Sequence, residues 1–516
     1  MTLLAVLYTV GALIISIVVL IYWKLIRTPK RFYDEFRRQG VPGEPFVPLI
    51  GQLRDLYRAI QNDASMAYRM SLAQKHGYVY LIGFGPDVEL IVNEPDLIAD
   101  ILGHSHVHDY QKPSDLAKLF APLIGTHNLL VSEGIEHERA RKMLNPAFHF
   151  THLQSMISIM TDQTAKAIDE LVLVSSQKQF IDIQTALNSM TLTIIASSAF
   201  GQNFETVANA KEIVSRAFTD VLDAIEYRGM RMIDSIPIVA RLPFWHKRLL
   251  DKACQDISRF VDQLIDDRRH GQSSSLCSGQ DLLDLLLSAV DQEGKSFSDQ
   301  EIKEQAITFV LAGHETTGNL MTWVMYVLMT HEDVWRACRE EVDKVLPNGI
   351  EPTPDRLNEL AICEAVLQET LRLYPPAPFF SRQCIREHTI GKEGQRQLRI
   401  PVGSIISFNT YLLHRREDFW PRALVFDYRR WLRDPISGLK PKLTHPFCYL
   451  PFAAGQRNCI GQNFALLEAK VMLAMFVQRC DFTIEPNQNI TTDVRITMRA
   501  KYGLRAKVTR RPFSFQ

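Results

Sequence analysis

The stretch "PFAAGQRNCIG", residues 451 to 461, places a cysteine between two glycines and two residues after an arginine. It directly precedes the helix-like run "QNFALLEAKVMLAMFVQ". A cysteine just before a helix faces the positive end of the helix dipole and unpaired backbone N–H groups, which lowers its pKa. Gly455 permits a tight turn, and Gly461 lets a flat ligand lie against the helix start. The stretch therefore predicts that Cys459 is a thiolate ligand.

Several roles remain open to this cysteine on chemical grounds. A structural zinc site needs three more ligands at a recognisable spacing, and the neighbouring sequence offers none. A catalytic thiol needs a histidine base, which the sequence does not exclude. A small buried hydrophobe is the simplest interpretation of the other cysteines. Axial ligation of haem iron fits a single thiolate in a glycine-opened loop.

The same stretch resembles the cysteine-ligand signature of the cytochrome P450 superfamily, whose fixed residues are filled by Phe452, Gly455, Arg457, Cys459 and Gly461. The resemblance implies a mainly α-helical fold with a small β portion. It implies haem b with Cys459 as the axial iron ligand. It also implies an enzyme that inserts one oxygen atom of O₂ into its substrate.

The segment "AVLQETLRLYPP" holds Glu369 and Arg372 on one helical face among apolar residues. A partly buried ion pair of this kind needs further partners. The segment resembles the Glu-x-x-Arg pair of the superfamily, which is joined by a later arginine near the haem loop. "FDYRRW" offers Arg430 for this structural lock, although Tyr428 stands where a proline is common and Arg429 where an acid is common.

"AGHETT", residues 312 to 317, places polar residues inside a long apolar helix. The Thr316 hydroxyl can bond back to the carbonyl of Ala312 and bend the helix without any other role. The resemblance instead implies the oxygen-activating helix, with Glu315 and Thr316 as the catalytic acid and alcohol that deliver protons. Many fatty-acid hydroxylases of the superfamily carry a glutamate at the position of Ala312, which can form an ester to haem, so covalent haem is not expected here.

"EHERARK", residues 136 to 142, spaces His137 and Arg141 four apart on one helical face. The superfamily usually has Trp-x-x-x-Arg here, with both side chains bonding a haem propionate, and His137 replaces the tryptophan. Arg382 matches another propionate-binding arginine. Together with Arg457, these side chains are expected to bind the cofactor and offset its two carboxylates. Arg139 and Lys142 are expected to belong to a basic docking face for the electron donor.

Composition narrows the partners. The chain has 516 residues, and 58 Lys and Arg balance 58 Asp and Glu, which argues against a nucleic-acid binder. Its eight cysteines are dispersed, without the density of a disulfide scaffold, and indicate reduced thiols. No GxGxxG or Walker A sequence occurs, so the electrons must come from a partner. The resemblance implies an NADPH-cytochrome P450 reductase, with cytochrome b5 as a further candidate.

The N-terminus predicts a membrane anchor. Residues 3 to 23 contain no charge, and a helix of this length spans roughly 31 Å, matching the hydrocarbon core. Positive charges follow it, so the rest of the chain is expected to face the cytosol. We divide the chain into an anchor (1–24), a basic stretch with a proline-rich hinge (25–51) and a haem-thiolate catalytic domain (52–516). The expected location is the endoplasmic reticulum membrane.

Periodicity predicts most of the remaining structure as helix, at residues 151–173, 184–199, 207–225, 247–270, 298–330 and 460–478. Strand-like alternation is limited to "YVYLIGFG" near residue 78, "VELIVN" near residue 88 and "LRIPVGSIISFN" from residue 398.

The expected substrate is a lipophilic small molecule: a lipid, a sterol or a xenobiotic. Pocket walls are expected in residues 109–130, 205–245 and 377–383, with Phe309 and Ala312. Two alternatives are a haem-thiolate isomerase or dehydratase without a reductase, and a non-catalytic membrane haem-binding protein. "HSHVH", with His104, His106 and His108 at alternate positions, lacks a correctly patterned carboxylate and is predicted to be a loop and not a metal site.

Overall fold

A computed structural model describes residues 2–512, except residues 104, 202–209, 231, 232, 234–236, 277, 278, 395 and 495. His104 and parts of the predicted pocket wall at 205–245 therefore lie outside the described residues. So does the start of the helix predicted at 207–225.

Helices dominate the described chain, as the periodicity predicts. Those before residue 240 begin and end as follows: α1 Thr2–Tyr22, α2 Thr28–Arg38, α3 Leu53–Gln61, α4 Ser65–His76, α5 Pro95–Leu102, α6 Ser114–Ile124, α7 Gly134–Leu144, α8 Phe150–Gln154, α9 Ile157–Gln177, α10 Ile183–Phe200 and α11 Ala210–Met230. The later ones are α12 Pro237–Arg241, α13 Lys247–Arg269, α14 Leu282–Ser288, α15 Asp299–Thr330, α16 Glu332–Val345, α17 Pro354–Glu359, α18 Ala361–Leu373, α19 Thr410–Leu413 and α20 Gln462–Arg479.

The strands are short and form a small part of the fold. Their bounds are β1 Val79–Phe84, β2 Asp87–Val92, β3 Tyr110–Gln111, β4 Ile181–Asp182, β5 Phe379–Cys384, β6 His388–Ile390, β7 Leu398–Ile400, β8 Ile405–Asn409, β9 Cys480–Ile484, β10 Thr492–Val494, β11 Met498–Ala500 and β12 Arg505–Arg510. The largest sheet has the order β1-β2-β8-β5-β3, in which β2 and β8 are parallel and the other neighbours antiparallel. The strands predicted near residues 78, 88 and 398 are confirmed.

The N-terminal helix is continuous with the one that follows it, through a π-helical turn at Trp23–Arg27. It is long and apolar enough to cross a membrane, and its apolar side chains are exposed. The predicted hinge at 41–51 contains no helix or ladder strand, but Gly43 bridges to Leu81 and Gly51 to Phe84. The proline-rich segment therefore lies along β1 as an ordered strap.

Helix α15 crosses the centre of the molecule. A capping box at its start, formed by Ser298 and Glu301, satisfies backbone donors of its first turn. It packs closely against α10, because a Cβ at Gly318 would lie 2.0 Å from the Asn188 side chain. Most of its own apolar side chains are buried in the surrounding core, including the fully buried Trp323. This core fixes the part of α15 that carries the predicted acid and alcohol.

Candidate active site

The loop before α20 presents Cys459 at the end of a tight turn. Gly455 has φ +74°, and a Cβ there would come within 2.2 Å of the Leu102 carbonyl oxygen. The Cys459 amide donates to the Phe452 carbonyl at 2.9 Å, which closes the loop. Gly461 precedes the first turn of α20. Glycine is therefore required at 455 by both backbone conformation and space.

Cys459 is exposed and other residues of its loop, Gln456 and Arg457, line a cleft, although protein atoms crowd the thiol itself. Burial raises its pKa, while the Gly461 amide and the charges of Arg141 and Lys112 act in the opposite direction. The net direction is the reverse of the one predicted from the helix dipole alone, because desolvation outweighs the dipole.

Cationic side chains converge on the same cleft. Arg457 donates to the Ser132 carbonyl at 2.7 Å and pairs with Glu133, the residue before α7. Arg382, on β5, is 6% exposed and donates to its neighbouring Ser381 carbonyl. His137, on α7, is 4% exposed. These side chains, with Glu133 and Ala454, line a cleft of about 380 Å³.

Lys112 also belongs to the cationic group around Arg382 and Arg457, although it was not predicted from the sequence. Burial, followed by the charges of Arg382 and Arg457, lowers the pKa of Lys112 to about 7. Burial, followed by the charge of Arg457, lowers the pKa of Arg382 to about 10. Burial, followed by the charges of the surrounding arginines and Lys112, lowers the pKa of His137 to about 3. His137 is therefore a neutral imidazole at physiological pH. Two arginines of the cleft, Arg382 and Arg457, face two acids, Glu133 and Glu138, and the adjoining Lys112 adds the excess of positive charge.

Arg141 lies beside the cluster but has a different set of partners. Its guanidinium donates to the Asn458 carbonyl at 2.7 Å and to the Asn458 side chain at 2.8 Å. It also donates to Asn145 at 2.9 Å. Arg141 therefore fastens α7 to the residue that precedes Cys459, a role that the predicted propionate contact does not include.

The Glu369–Arg372 pair is fully buried and links four segments. The two side chains meet through two hydrogen bonds of 2.8 Å. Arg372 also donates to the carbonyls of His414 and Ala423, both at 2.7 Å. The His414 imidazole accepts from the Leu450 amide at 2.8 Å, just before the cysteine loop. The pair therefore holds that loop in place.

Arg430 reaches the pair as predicted, with its Nε 3.4 Å from a Glu369 carboxylate oxygen. It also donates to the Pro421 carbonyl at 2.6 Å. Glu369 accepts two further hydrogen bonds of 2.9 Å, from the Asp427 amide and the Trp431 indole. The unusual residues at 428 and 429 do not disturb the contact between Arg430 and Glu369. Tyr428 is buried in a 3₁₀ turn, and the Asp427 side chain accepts a hydrogen bond from the Arg429 amide.

Helix α15 runs without interruption through "AGHETT". The Thr316 hydroxyl donates to the Ala312 carbonyl at 2.8 Å, as predicted. Ala312 is exposed on a helix that is otherwise mostly buried, and Thr316 and Glu315 are half-buried. The Thr191 hydroxyl of α10 donates to the His314 carbonyl at 2.8 Å. Two carbonyls of α15 within one turn thus accept from threonine hydroxyls, and the first of them belongs to the exposed Ala312.

Glu468, on α20, faces this part of α15 from the opposite side and was not predicted. It is fully buried near the Thr317 hydroxyl, and burial raises its pKa well above the ordinary value.

Arg139 has a structural role that differs from the predicted docking face. It pairs with Asp291 at 2.7 Å and Glu301 at 2.9 Å, while Lys142 is exposed.

Comparison with known proteins explains this combination of a cysteine loop, a cationic cleft and a buried Glu–Arg pair. The sequence model of the family described as "Cytochrome P450" matches residues 41–504. The chain belongs to the cytochrome P450 family. Cytochrome P450 4A2 of Rattus norvegicus is 30% identical over 82% of both chains. Cytochrome P450 72A15 of Arabidopsis thaliana is 28% identical over 96% of this chain and 98% of the relative.

The fold is also that of a solved P450. The crystal structure of the cytochrome P450DA heme domain has a TM-score of 0.77, with 24% identity, over 92% of this chain and 98% of that one. P450 enzymes are haem-thiolate monooxygenases that bind haem b through a cysteine thiolate, and this chain is one of them. Its activity therefore involves O₂, a small-molecule substrate and a redox partner.

The residues present fit that cofactor. Haem b carries two carboxylates and an iron that takes a sulfur ligand. The cleft offers a surplus of buried cations for the carboxylates, and His137 makes no hydrogen bond with the residues that the structure describes. The Cys459 sulfur lies close enough to this group for the charges of Lys112 and Arg141 to act on it. The donor set therefore matches the two polar ends of the cofactor.

Proposed function

We propose that this P450 inserts one oxygen atom of O₂ into a lipophilic substrate, a lipid, a sterol or a xenobiotic, with electrons from an NADPH-cytochrome P450 reductase. The observation that carries the proposal is the position of Ala312 and Thr316. They stand where a largely buried helix becomes accessible, and the Thr316 hydroxyl already donates to the Ala312 carbonyl. This arrangement places a proton carrier beside a small apolar residue, which suits oxygenation of a nonpolar molecule.

Each site residue has a part that follows from its surroundings. Haem b, when bound, supplies the iron at which O₂ is activated. Cys459 is the iron ligand, and its loop is held by the Gly455 turn and the Arg141–Asn458 contact. Phe452 accepts from the Cys459 amide, and Gly461 directs its own amide toward the sulfur. The polypeptide thus fixes the direction and depth of the sulfur before any ligand arrives.

The cationic side chains bind the other end of the cofactor. Arg382 and Lys112 are enclosed and Arg457 shares one acid, Glu133, so the two carboxylates of the cofactor would lower the electrostatic cost of burying these cations. His137 donates a hydrogen bond as a neutral imidazole, as the replaced tryptophan would.

Protons reach the oxygen through α15. The Thr316 hydroxyl, whose hydrogen points to the Ala312 carbonyl, accepts a hydrogen bond with its free lone pairs and passes a proton on. Glu315, the neighbouring half-buried acid, resupplies it. The lock formed by Glu369, Arg372 and Arg430 takes no part in proton transfer and maintains the position of the cysteine loop.

The anchor and the domain division are part of the same proposal. Residues 1–24 span the endoplasmic reticulum membrane, 25–51 connect them to the catalytic domain, and 52–516 face the cytosol, where the reductase and cytochrome b5 are available. The apolar helix and the basic residues that follow it support this orientation. With Arg139 engaged internally, Lys142 is the residue of the predicted docking face that remains exposed.

The spectrum of the reduced, carbon monoxide-bound protein tests the thiolate. Purified full-length protein should show the red-shifted Soret band of thiolate ligation, and Cys459→Ser should abolish it. Cys254→Ala is the matched control, because Cys254 is half-buried on α13 and lies outside the cysteine loop. An unchanged band in Cys459→Ser would contradict the assignment.

Oxygen consumption tests the reaction. With reductase, NADPH and a lipophile that shifts the haem spin state, the protein should consume O₂ and form a hydroxylated or epoxidised product. Isomerised product without NADPH would identify an isomerase or dehydratase. A protein that neither consumes O₂ nor responds spectrally to any lipophile in a broad screen would be a non-catalytic haem-binding protein.

A further inference from the structure

Two histidines and an aspartate from distant segments meet beside the cleft wall. His106 directly precedes the short turn at Val107–Asp109, and Asp109 is the last residue of that turn. His388 begins β6, some 280 residues later. One nitrogen or oxygen atom from each residue lies within 4.8 Å of the others. Among the described residues, this is the trio that brings three such donors together.

The spacing of the donor atoms suits a small divalent ion. The His106 Nδ1 atom lies 2.9 Å from Asp109 Oδ2, and the His388 Nδ1 atom lies 4.0 Å from the same oxygen. A tetrahedral ion with bonds of about 2.1 Å requires ligand atoms about 3.4 Å apart. The two distances lie on either side of this value, so shifts of roughly half an ångström would complete the site.

The surrounding hydrogen bonds orient these donors. The His388 Nε2 atom lies 2.8 Å from the Tyr110 hydroxyl oxygen. In the ion-free protein Nδ1 donates its proton to the Arg386 carbonyl, 2.7 Å away. A metal ion at Nδ1 would displace that proton, and Nε2 would then carry a proton and donate it to the Tyr110 oxygen. Arg386 also pairs with Asp109 Oδ1 at 3.2 Å, which leaves Oδ2 facing the histidines.

The backbone around the trio is fixed. Tyr110 of β3 pairs with Cys384 of β5, and the Ile385 amide donates to the Asp109 carbonyl at 2.8 Å. The His106 and His388 rings stack with their centroids 4.2 Å apart and their planes 19° from parallel, so the two side chains must rotate on this fixed backbone to direct both in-plane lone pairs at one ion. The side chains of the trio are 22%, 12% and 8% exposed for His106, Asp109 and His388, which leaves water a path to the site.

We propose that His106, Asp109 and His388 form a binding site for one divalent transition-metal ion of the zinc class, separate from the haem site. Two imidazoles and a carboxylate are ligands that Zn²⁺ prefers. A bound ion ties the segment that contains Val107 and Tyr110 to the β6 hairpin. Because both residues line the cationic cleft, the ion stiffens the wall beside the proposed haem carboxylate site.

Zinc binding to the haem-loaded, tag-free full chain tests the proposal. Isothermal titration with ZnCl₂ should give one saturable site, and His388→Ala and Asp109→Asn should each weaken it by roughly 10- to 100-fold or more, since even outer-shell changes cost this much. His108→Ala is the matched control. This histidine lies in the same segment, is 65% exposed and is 3.7 Å from Glu138, so its removal should leave binding unchanged.

Tyr110→Phe probes the orienting hydrogen bond. It should weaken zinc binding by less than the loss of a ligand does, without changing the stoichiometry. If His388→Ala fails to incorporate haem, His106→Gln and Asp109→Asn provide the same comparison. Binding that persists in these variants, or the absence of a saturable site in the wild type, would overturn the proposal. Neither result bears on the monooxygenase reaction, because zinc binding is measured without substrate or reductase.

Discussion

Replacing Glu369 with glutamine removes one charge from the buried lock and keeps its shape. Arg372, which is fully buried, would then be an uncompensated cation, still held by three backbone carbonyls. The carboxylate accepts hydrogen bonds from Arg372, the Asp427 amide and the Trp431 indole. The glutamine NH₂ would face these donors instead. Removal of one member of a buried ion pair costs about 3–5 kcal/mol, and we expect Glu369→Gln to lower the free energy of unfolding by this amount.

Urea unfolding followed by far-UV circular dichroism and by the Soret band measures this loss. Glu332→Gln is the control, because Glu332 forms a 2.9 Å pair with Arg336 in which the side chains are 85% and 65% exposed. An exposed pair of this kind contributes about 0.3–0.5 kcal/mol. The Soret signal of Glu369→Gln should be lost at a lower urea concentration than in the control, since the lock reaches Leu450 through His414. Equal destabilisation of the two variants, within about 1 kcal/mol, would refute the reasoning.

Thr316→Ala should lower product formation by roughly 10- to 100-fold while NADPH oxidation falls less, because the variant loses proton delivery and keeps its electron supply. Thr316→Ser should restore the ratio of product formed to NADPH oxidised. Equal falls in both rates would argue against a proton-carrying hydroxyl. Acid-acetone extraction should release the haem into the organic phase, since Ala312 provides no carboxylate for an ester; haem retained on the protein would contradict this. Glu468→Gln should raise the melting temperature relative to wild type more at pH 8 than at pH 5. The folded-state pKa of Glu468 is raised above its unfolded value, so its stabilising contribution is present below the unfolded pKa and is lost as pH rises; a difference that is constant with pH would rule this out.

The helical body and the cysteine loop could be predicted because their signals are local. The period of apolar residues at 298–330 and the glycines around Cys459 determine structure within a few turns of chain. The resemblance predicted the lock formed by Glu369, Arg372 and Arg430. The structure adds His414, which lies 42 residues from its partner Arg372, and Trp431, which lies 62 residues from its partner Glu369.

Other features depend on contacts that local sequence does not encode. Lys112 enters the cationic cleft only because its segment packs against Arg382 and Arg457. The direction of the Cys459 pKa shift was predicted wrongly, because burial is a property of the whole fold whereas the helix dipole is visible in the sequence. Similarly, His106 and the nearby Asp109 meet a second imidazole only through His388, on a distant hairpin.

The strap at residues 41–51 has a consequence for how the enzyme sits on its membrane. The Gln39 side chain exchanges two hydrogen bonds with the Arg399 backbone, at 3.0 and 2.7 Å. A Cβ at Gly43 would lie 2.6 Å from Leu81, so the strap adheres closely to the sheet. With the N-terminal helix in a bilayer, as we propose, this attachment would hold the catalytic domain rigidly and not on a flexible linker. The tilt of the domain and its height above the lipid would then be set by the polypeptide itself.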